Sequence, residues 1–408
     1  MAENNVGTIN PLTIANILTL RYDPTQKPLL PKFDRDNFVD NHVIPSINDI
    51  EKIIQSSLRT KINNDIQKIC IALSGGVDST LILALLRKTF PDIEINAISI
   101  KFANSVDESE SAAKIAQHFE AKHHIIEVDN YLRELPKAIS IVKLPFWDLH
   151  WYYVVKKAQT LSKYLASGDG GDEVFGGYTF RYKKFLSLTN ENSNTKNKIQ
   201  AYIQCHERDS VPDQDKIFGP KTKFLWNQIH AYLVPHFDND LSRLDQVLLA
   251  DYNGKLLYNF SLINTRLHDN FNMISIAPLL SQEITAYAIP LSNKFKYDQQ
   301  NDVGKLLLRQ LLRKLGVDSL VTEEKLGFNV NTINLWKSYG NSLCNHYLTN
   351  SNIVRDGWIN QNWITKYINK NDLDVRYVNK FLGLLAFEIW YRIFVTNEMK
   401  SNQFLDYV

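Results

Sequence analysis

The feature that most constrains this chain is the alternation of short β-like runs with helical runs between residues 68 and 167. The β-like runs are apolar and rich in β-branched residues, and the runs between them repeat apolar residues at helical spacing. Such an alternation predicts an α/β fold with a parallel sheet and helices on both of its faces. The predicted strands are 68–73, 94–102, 123–128 and 163–167, and the predicted helices are 79–90, 107–119 and 145–162, the last capped by Asp148.

Two further regions flank this alternation. Residues 1–45 mix prolines, asparagines and short apolar groups, and we predict an N-terminal arm in which RYDPTQKPLLPKFD lies extended on the surface. A helix over 46–62, capped by the serine at its start, opens a predicted α/β core of residues 46–188. After this core the sequence has no further patterns typical of β-strands. We therefore predict that residues 189–408 form a mainly helical region, which completes the ligand site.

The composition bounds the class of protein. With 44% hydrophobic and 22% charged residues the chain can build a core, and its net charge of +2 argues against a nucleic-acid partner. The most apolar stretch, residues 381–395, is too short to cross a bilayer, so we predict a buried helix and no membrane partner. The cysteines lack a metal-binding or redox spacing, which favours buried reduced thiols and a cytoplasmic location. They are Cys70, Cys205 and Cys344.

The sequence SGGVDS follows the first predicted strand and precedes a helix, which is where parallel sheets bind ligands. Gly75 and Gly76 permit close backbone approach, and successive N–H groups at a helix start form a nest for an anion. Ser74 and Ser79 add hydroxyl donors, while Asp78 suits a magnesium ion that bridges to phosphate. The loop lacks the lysine of the G-x-x-x-x-G-K-[ST] motif, and a plain Gly-Gly turn with a capping side chain is the alternative.

A second glycine-rich loop, SGDGGDEVFGGY, follows the fourth predicted strand and therefore reaches the same edge of the sheet. Asp169, Asp172 and Glu173 crowd its backbone. Carboxylates this close repel one another unless a cation or hydrogen bonds compensate them, so this loop also points to a cation site. The alternative is an acidic loop that is simply solvated.

Together the two loops resemble the synthetase domain of the asparagine synthetase family, within the ATP-pyrophosphatase superfamily, and the resemblance runs from about residue 50 to 345. It implies the adenine-nucleotide hydrolase-like version of the predicted α/β fold and an ATP-dependent carbon–nitrogen ligase that uses ATP and Mg²⁺. Such an enzyme adenylates a carboxylate, releases pyrophosphate, and lets a nitrogen nucleophile displace AMP.

The resemblance also implies roles for residues of this chain. Pyrophosphate would be bound by Ser74, Gly75, Gly76, Asp78 and Ser79. Adenosine would be surrounded by Leu73, Ile100, Ser167 and Gly168. Magnesium would be held by Asp78 and Asp172, and Asp169 takes the place of an acid that assists formation of the acyl-adenylate.

Two cationic segments in the C-terminal half extend the resemblance. NDVGKLLLRQLLRKLG is similar to the family's K-x-x-L-R helix, in which Lys305 and Arg309 lie one turn apart and can face one anion. The resemblance thereby assigns Lys305 to the ATP site. EEKLGFNV is similar to the family's K-x-G-F turn, which implies a catalytic role for Lys325 in stabilising charge near the phosphates.

The sequence departs from the family pattern in two places. Full-length members begin with a glutaminase domain that has a cysteine nucleophile, whereas this chain begins MAENN. We therefore expect free ammonia, ammonia from a separate glutaminase, or another amine as the nitrogen source. In addition, the family's E-x-R-x-P-F-L-D segment reads ISIAPLLS here. Ile274, Ile276 and Ser281 replace three charged residues near the expected acceptor pocket, which puts aspartate in doubt as the carboxylate.

Four functions follow from these observations. Asparagine formation is the first, with a small-molecule carboxylate and ammonia or an amine as partners. A β-lactam synthetase-like or other natural-product amide ligase, acting on a different carboxylate, is the second. A tRNA-modifying ATP pyrophosphatase is the third, and the near-neutral charge and absent CxxC pairs disfavour it. A non-catalytic binding protein is the fourth, and the intact acids and Lys325 disfavour it. The sequence does not indicate an oligomeric state.

Overall fold

A five-stranded parallel sheet runs through the centre of the protein, as the strand–helix alternation predicted. The structure is a computed structural model, and it describes residues 9–39, 43–63, 65–102, 109–206, 209–321, 331–370 and 372–406. The strands of the sheet are β1 (Lys68–Ala72), β2 (Glu94–Phe102), β3 (Lys122–Val128), β4 (Tyr164–Ala166) and β5 (Ile274–Ile276). A separate antiparallel pair consists of β6 (Tyr297–Asp298) and β7 (Val303–Gly304).

The strand order is β3-β2-β1-β4-β5, so the direction of winding reverses between β1 and β4. These two strands pair in parallel, with Cys70 opposite Leu165. A crevice opens at the carboxyl ends of two such strands, because the connections that leave them go to opposite sides of the sheet. The SGGVDS loop follows β1 and the second glycine-rich loop follows β4, so both loops border this crevice.

Helices cover both faces of the sheet. Ile69 and Ile71 of β1 belong to one buried apolar cluster, whereas Cys70 and Ala72 belong to another on the opposite face. The helices up to residue 205 are α1 (Pro11–Leu20), α2 (Ile47–Lys61), α3 (Val77–Thr89), α4 (Ser109–His118), α5 (Leu135–Val142), α6 (His150–Ala158), α7 (Gly171–Phe175), α8 (Thr179–Leu188) and α9 (Thr195–Cys205).

The C-terminal half is mainly helical, as predicted. Its helices are α10 (Trp226–Phe237), α11 (Arg243–Asp251), α12 (Ser261–Asn270), α13 (Gln282–Ala288), α14 (Leu306–Lys314), α15 (Thr332–Leu335), α16 (Asn341–Leu348), α17 (Asn352–Arg355), α18 (Gln361–Tyr367) and α19 (Val375–Phe394). Two π-helical segments, Tyr252–Phe260 and Trp336–Gly340, run directly into α12 and α16.

The fifth strand was not predicted, because strand signals were expected to stop before the helical region. β5 has only three residues, too few for a strand pattern to be recognised. Its place is set by pairing with β4: the Ile274 N–H donates to Lys163 O at 2.8 Å, and the Ser167 N–H donates to Ile276 O at 3.0 Å. The sheet therefore includes a segment of the region that we assigned to residues 189–408.

The predicted N-terminal arm contains a helix. α1 is capped by Asn10, whose side chain accepts a hydrogen bond from the Leu12 N–H at 3.0 Å. Ile14 and Leu18 are buried and join the apolar cluster that contains Cys70. This helix was not predicted, because the proline and asparagine residues around it indicated an arm without regular structure.

Asp148 does not cap a helix, so this prediction was wrong. α6 begins at His150 behind Leu149, without a side-chain cap bond. Asp148 instead pairs with the Arg21 guanidinium, which also lies 2.9 Å from Asp209. Burial opposes ionisation of Asp148, but Arg21 lowers the pKa of that carboxyl below its ordinary value. This group of ion pairs ties the segment after α1 to the segment before α6.

Other expectations from the sequence are confirmed. Ser46 caps α2 by accepting from the Asp49 N–H at 3.2 Å. The predicted buried helix over 381–395 lies almost entirely within α19, and the three cysteines are buried free thiols. Across the residues that the structure describes, no helix is long and apolar enough to span a membrane.

Candidate active site

The SGGVDS loop connects β1 to α3. Strand pairing continues one residue past β1, because the Leu73 N–H donates to a β2 carbonyl at 2.9 Å. Gly75 adopts a left-handed φ of +76°, and Gly76 occupies the N-cap of α3 without a side-chain cap bond. The hydroxyls of Ser74 and Ser79 lie 3.2 Å apart beside it. The start of a thirteen-residue helix therefore borders the crevice in the manner that favours a bound phosphate.

The second glycine-rich loop packs directly on the first. A Cβ at Gly168 would lie 2.6 Å from Asp78 Cβ and 2.7 Å from the Asp78 backbone carbon. A Cβ at Gly171 would overlap the Asp78 carboxylate, and one at Gly177 would overlap Asp172. Gly168 is therefore explained by the close approach of two backbones, whereas Gly171 and Gly177 leave room for the carboxylates of Asp78 and Asp172.

Gly168→Ala is expected to push the two loops apart and to lower about 100-fold the AMP formation that the family resemblance implies, because small displacements of reacting groups have effects of this size. Overpacking should also reduce the free energy of unfolding by about 1–3 kcal/mol. Urea unfolding and AMP release check both effects. The control is Gly383→Ala in α19, whose Cβ would lie an ordinary 3.7 Å from Leu18 Cδ2. Wild-type AMP formation by Gly168→Ala would contradict the contact between the loops.

Lys305 joins carboxylates from the two loops. Its ammonium lies 2.8 Å from Asp172 Oδ1 and also pairs with Asp78 Oδ2. The lysine side chain is 7% exposed, and its backbone precedes α14 in the left-handed conformation. Burial favours the neutral amine, but the two carboxylates outweigh burial and raise the pKa of Lys305 above its ordinary value. Asp78 and Asp172 thus converge on one buried positive charge.

The same two carboxylates fit a magnesium ion. Mg²⁺ prefers oxygen ligands and is commonly held by one or two carboxylates together with waters and substrate phosphates. Asp78 and Asp172 supply such oxygens around a single cation position, next to a helix start that suits phosphate. Within the described ranges, no group of three or more His, Cys, Asp or Glu side chains could hold a metal ion. Two carboxylates suit a metal ion that arrives with the phosphates of a nucleotide.

The carboxyl group of Asp169 has a pKa well above its ordinary value. Burial is the largest cause that raises its pKa from 3.8 to about 7, and the nearby carboxylates of Glu173 and Asp78 add to the rise. A hydrogen bond from Asn264 Nδ2 to Asp169 Oδ2, at 3.3 Å, acts in the opposite direction. A carboxyl group with a pKa near neutrality can both accept and release a proton, as general acid–base catalysis requires.

The residues predicted to surround adenosine lie along the same edge of the sheet. Leu73 follows β1, Ile100 lies near the carboxyl end of β2, and Ser167 and Gly168 follow β4. They come from the three central strands of the sheet, on both sides of the crevice. The structure thus brings this predicted group together around the position where winding reverses.

The two predicted basic residues after Lys305 have different outcomes. Arg309 Nε donates to Gly304 O at 3.2 Å, while the Lys305 ammonium faces the carboxylates. That the two residues face one anion stays a prediction. Lys325, the predicted catalytic lysine, lies outside the described residues. Its role stays a prediction.

A cleft of about 540 Å³ opens beside Asp169, and no sequence motif indicated it. It runs past β5 between α2 and α12, and its volume is typical of small-molecule sites. α12 contributes Asn264 and His268, one helical turn apart. Neither residue was predicted from the sequence, because an i, i+4 pair of polar residues is common on helices.

The ISIAPLLS segment contributes to this cleft differently from what was expected. Ile276 is 1% exposed and packs in the core, and neither Ile274 nor Ile276 is among the described residues that line the cleft. Ser275, Ala277 and Ser281 line it instead. Of the three positions where a charge is replaced, only Ser281 therefore borders the cleft beside Asp169.

The fold and the site define a class of protein: an α/β nucleotide-binding protein with an anion nest and paired carboxylates at the point where its sheet reverses direction. The family model described as asparagine synthase matches residues 49–392. The chain therefore belongs to the asparagine synthase family, a family of ATP-dependent ligases.

Individual relatives agree with this membership. Asparagine synthetase (glutamine-hydrolyzing) 1 of Bacillus subtilis (strain 168) is 22% identical over 383 residues, which cover 85% of this chain and 59% of that protein. Asparagine synthetase B (glutamine-hydrolyzing) of Escherichia coli (strain K12) is 27% identical over 173 residues, 37% of this chain and 30% of that protein. The chain thus spans about three fifths or less of the length of these relatives.

Solved structures also show likeness to part of the chain. A structure of NMN synthetase from Francisella tularensis is 16% identical, with a TM-score of 0.28. The likeness covers 52% of this chain and 94% of that one.

Proposed function

We propose that this chain is an amide ligase that activates a carboxylate with ATP as its acyl-adenylate and transfers the acyl group to nitrogen. Asparagine formation from aspartate is the reaction to test first, because the relatives carry that name. Ammonia would come from solution or from a separate glutaminase, and the protein would act in the cytoplasm.

One observation carries this proposal: Asp78 and Asp172, from two glycine-rich loops, converge on a single cation position. That position borders the start of α3, where N–H groups favour phosphate. A plain turn or a solvated acidic loop would need no such convergence. The arrangement supports binding of a nucleoside triphosphate together with its metal ion.

The positions of the site residues suggest a separate role for each group in the reaction. The first N–H groups of α3, with Ser74 and Ser79, would bind the phosphates of ATP. Asp78 and Asp172 would hold Mg²⁺, which when bound draws negative charge from the departing pyrophosphate. A substrate carboxylate attacks the α-phosphorus and pyrophosphate leaves. Asp169 would move a proton as nitrogen attacks the acyl carbon and AMP departs.

The test measures AMP and pyrophosphate released by the full chain with MgATP, aspartate and ammonium, and identifies the product by mass. Aspartate-dependent AMP with asparagine formed is the expected result. Lys325→Ala should lower the rate about 100-fold, because charge stabilisation at a reacting phosphate has effects of this size. Lys52→Ala, at an exposed position of α2, is the control and should keep the wild-type rate.

Other outcomes would point to the remaining functions. AMP formation stimulated by RNA would favour a tRNA-modifying enzyme. ATP binding without AMP formation, whatever carboxylate and amine are supplied, would favour a non-catalytic binding protein. Turnover with another carboxylate but not with aspartate would favour a natural-product ligase.

The cleft favours this last candidate, a ligase for a different pair of substrates. Among the described residues that line it, Lys61 is the one lysine or arginine, and it is exposed at the end of α2. Aspartate has a second carboxylate, and a buried charge in a protein is usually paired with an opposite charge or a metal ion. The described lining offers hydroxyl and apolar groups in larger number than charges.

A further inference from the structure

The N-terminal arm supplies part of the wall of the cleft beside Asp169. We call residues 23–33 of this arm the bridging segment, and its Leu29 and Leu30 line the cleft. The cleft therefore joins two distant parts of the chain, the arm and the loop that carries Asp169. No sequence pattern indicated this contribution, because the arm was predicted only to lie extended on the surface.

The bridging segment is fixed at both ends by buried side chains. At its start, the Asp23 carboxylate is buried and accepts hydrogen bonds from the N–H and the hydroxyl of Thr25, at 3.1 Å and 2.7 Å. At its end, the buried Asn253 side chain accepts from the Phe33 N–H at 3.1 Å and donates to Phe33 O at 2.6 Å. The backbone on either side of the two leucines is therefore held by hydrogen bonds.

Leu29 is 52% exposed although its segment is fixed in this way. Leu30, by contrast, packs partly against the apolar cluster that contains Ile69. Leu29 is not an isolated apolar residue on the surface, because the cleft has other apolar lining residues. They are Leu30, Ile53, Phe260, Ala277 and Leu280. Exposed apolar groups gathered in a cleft are typical of ligand-binding sites, and a hydrocarbon group is the ligand that gains from covering them.

The charges around the cleft bear on which substrate it accepts. Among the described residues that line it, the Asp, Glu, Lys and Arg side chains are Asp169, Glu283 and Lys61, and the last two are exposed. Two acids and one exposed lysine disfavour a substrate with a second carboxylate, because like charges repel. Ammonia, the proposed nitrogen source, does not need a cleft of about 540 Å³. The cleft is therefore available to the acid substrate.

We propose that the cleft binds the hydrocarbon chain of a monocarboxylic acid substrate and that Leu29 determines specificity for that chain. The carboxylate lies at the Asp169 end, because the neighbouring Gly168 packs against Asp78 of the proposed nucleotide site. Burial raises the pKa of Asp169 to about 7, and its protonated form can donate a hydrogen bond to the substrate carboxylate. The inference rests on the proposed ligase function and names a class of acid that excludes aspartate.

Calorimetric binding of sodium acetate, hexanoate and adipate to the full chain tests the site. Each buried methylene should tighten binding by up to about fourfold, so hexanoate should bind at least about 20-fold more tightly than acetate. Adipate has the same number of carbons as hexanoate but a carboxylate at each end. It should bind at least about tenfold more weakly than hexanoate, because its second charge would meet apolar and acidic side chains.

Two variants from different walls test the position of the chain. Leu29→Ser should weaken hexanoate binding about fivefold and leave acetate binding unchanged, because only the longer chain reaches this wall. Ala277→Leu should fill part of the cleft after β5 and likewise weaken the binding of hexanoate alone. Leu225→Ser is the matched control, because Leu225 is 59% exposed and is not among the described residues that line the cleft. It should bind both acids like wild type.

Three results would overturn the proposal. Equal affinity for hexanoate and adipate would remove the preference for a single carboxylate. Wild-type affinity for hexanoate in both Leu29→Ser and Ala277→Leu would place the chain elsewhere. Tighter binding of hexylamine than of hexanoate would assign the cleft to the nitrogen donor.

Carboxylate-dependent AMP formation by the same preparations separates this inference from the proposed function. AMP formation with aspartate, together with hexanoate binding that neither variant alters, would reject the apolar acid and leave the ligase in place. Hexanoate binding that both variants weaken, without AMP formation from any carboxylate, would reject the ligase and with it the role of the acid as a substrate. AMP formation that requires hexanoate and ammonium would support both.

Discussion

Lys305→Met is expected to abolish most AMP formation and to make the folded protein respond to magnesium. The ammonium of Lys305 neutralises Asp78 and Asp172, and removing one partner of a buried ion pair costs about 3–5 kcal/mol. Two adjacent carboxylates would then lie buried without a cation. Because Mg²⁺ suits the same oxygens, millimolar magnesium should raise the melting temperature of Lys305→Met more than that of wild type.

The effect on catalysis should be large for the same reason. Loss of one preorganised charge at a phosphate site lowers the rate by about 100- to 1,000-fold. Lys183→Met is the matched control, since Lys183 is 72% exposed and lies 3.4 Å from Asp302. An exposed pair of this kind contributes at most about 1 kcal/mol, so that variant should behave like wild type. Equal magnesium responses in Lys305→Met and wild type would refute the shared cation position.

Asp169→Asn should lower AMP formation and raise the free energy of unfolding. The amide cannot transfer a proton, so AMP formation should fall at least about 100-fold. The folded-state pKa of Asp169 is raised from 3.8 to about 7, so the folded protein holds this proton more tightly than the unfolded chain. The free energy of unfolding of wild type therefore falls between about pH 4 and pH 7, and the loss is complete above that range.

Urea unfolding at two pH values measures the difference in the free energy of unfolding between the variant and wild type. Near pH 8 the variant should be more stable than wild type by on the order of 2 kcal/mol, and the difference should shrink towards about pH 4. Asp215→Asn, exposed in the 3₁₀ turn Gln214–Ile217, is the control and should leave activity and stability unchanged. A pH-independent difference for Asp169→Asn would mean that burial of a charged carboxyl is not the cause.

Local sequence predicted the sheet well where a strand is long and β-branched. β2 was predicted over 94–102 and is Glu94–Phe102, because Ile95, Ile98 and Ile100 give this run the β-branched character that is typical of strands. β5 was beyond the reach of such reasoning, since its three residues are held by pairing with β4. α1 was likewise missed: besides its local cap at Asn10, it is stabilised by tertiary burial of Ile14 and Leu18, which no local pattern shows.

In the candidate site, too, local features could be predicted from the sequence and contacts between distant residues could not. Glycine spacing in the two loops could be recognised because close backbone approach admits no side chain. The pairing of Lys305 with Asp78 and Asp172 joins distant parts of the chain, and no local pattern encodes it. Asn264 was missed for the same reason, since its hydrogen bond to Asp169 also joins distant parts of the chain.

The position of β5 in the sequence determines when the sheet can be completed during translation. β1 to β4 leave the ribosome first, but the edge strand follows only roughly a hundred residues later, a separation that slows pairing. Until then β4 presents unpaired backbone groups of the kind that recruit strands from other chains. The loop that carries Asp169 is also unfinished, because Leu280 packs against the backbone of Gly170. A nascent chain that ends before Ile274 would therefore be inactive and a target for chaperones.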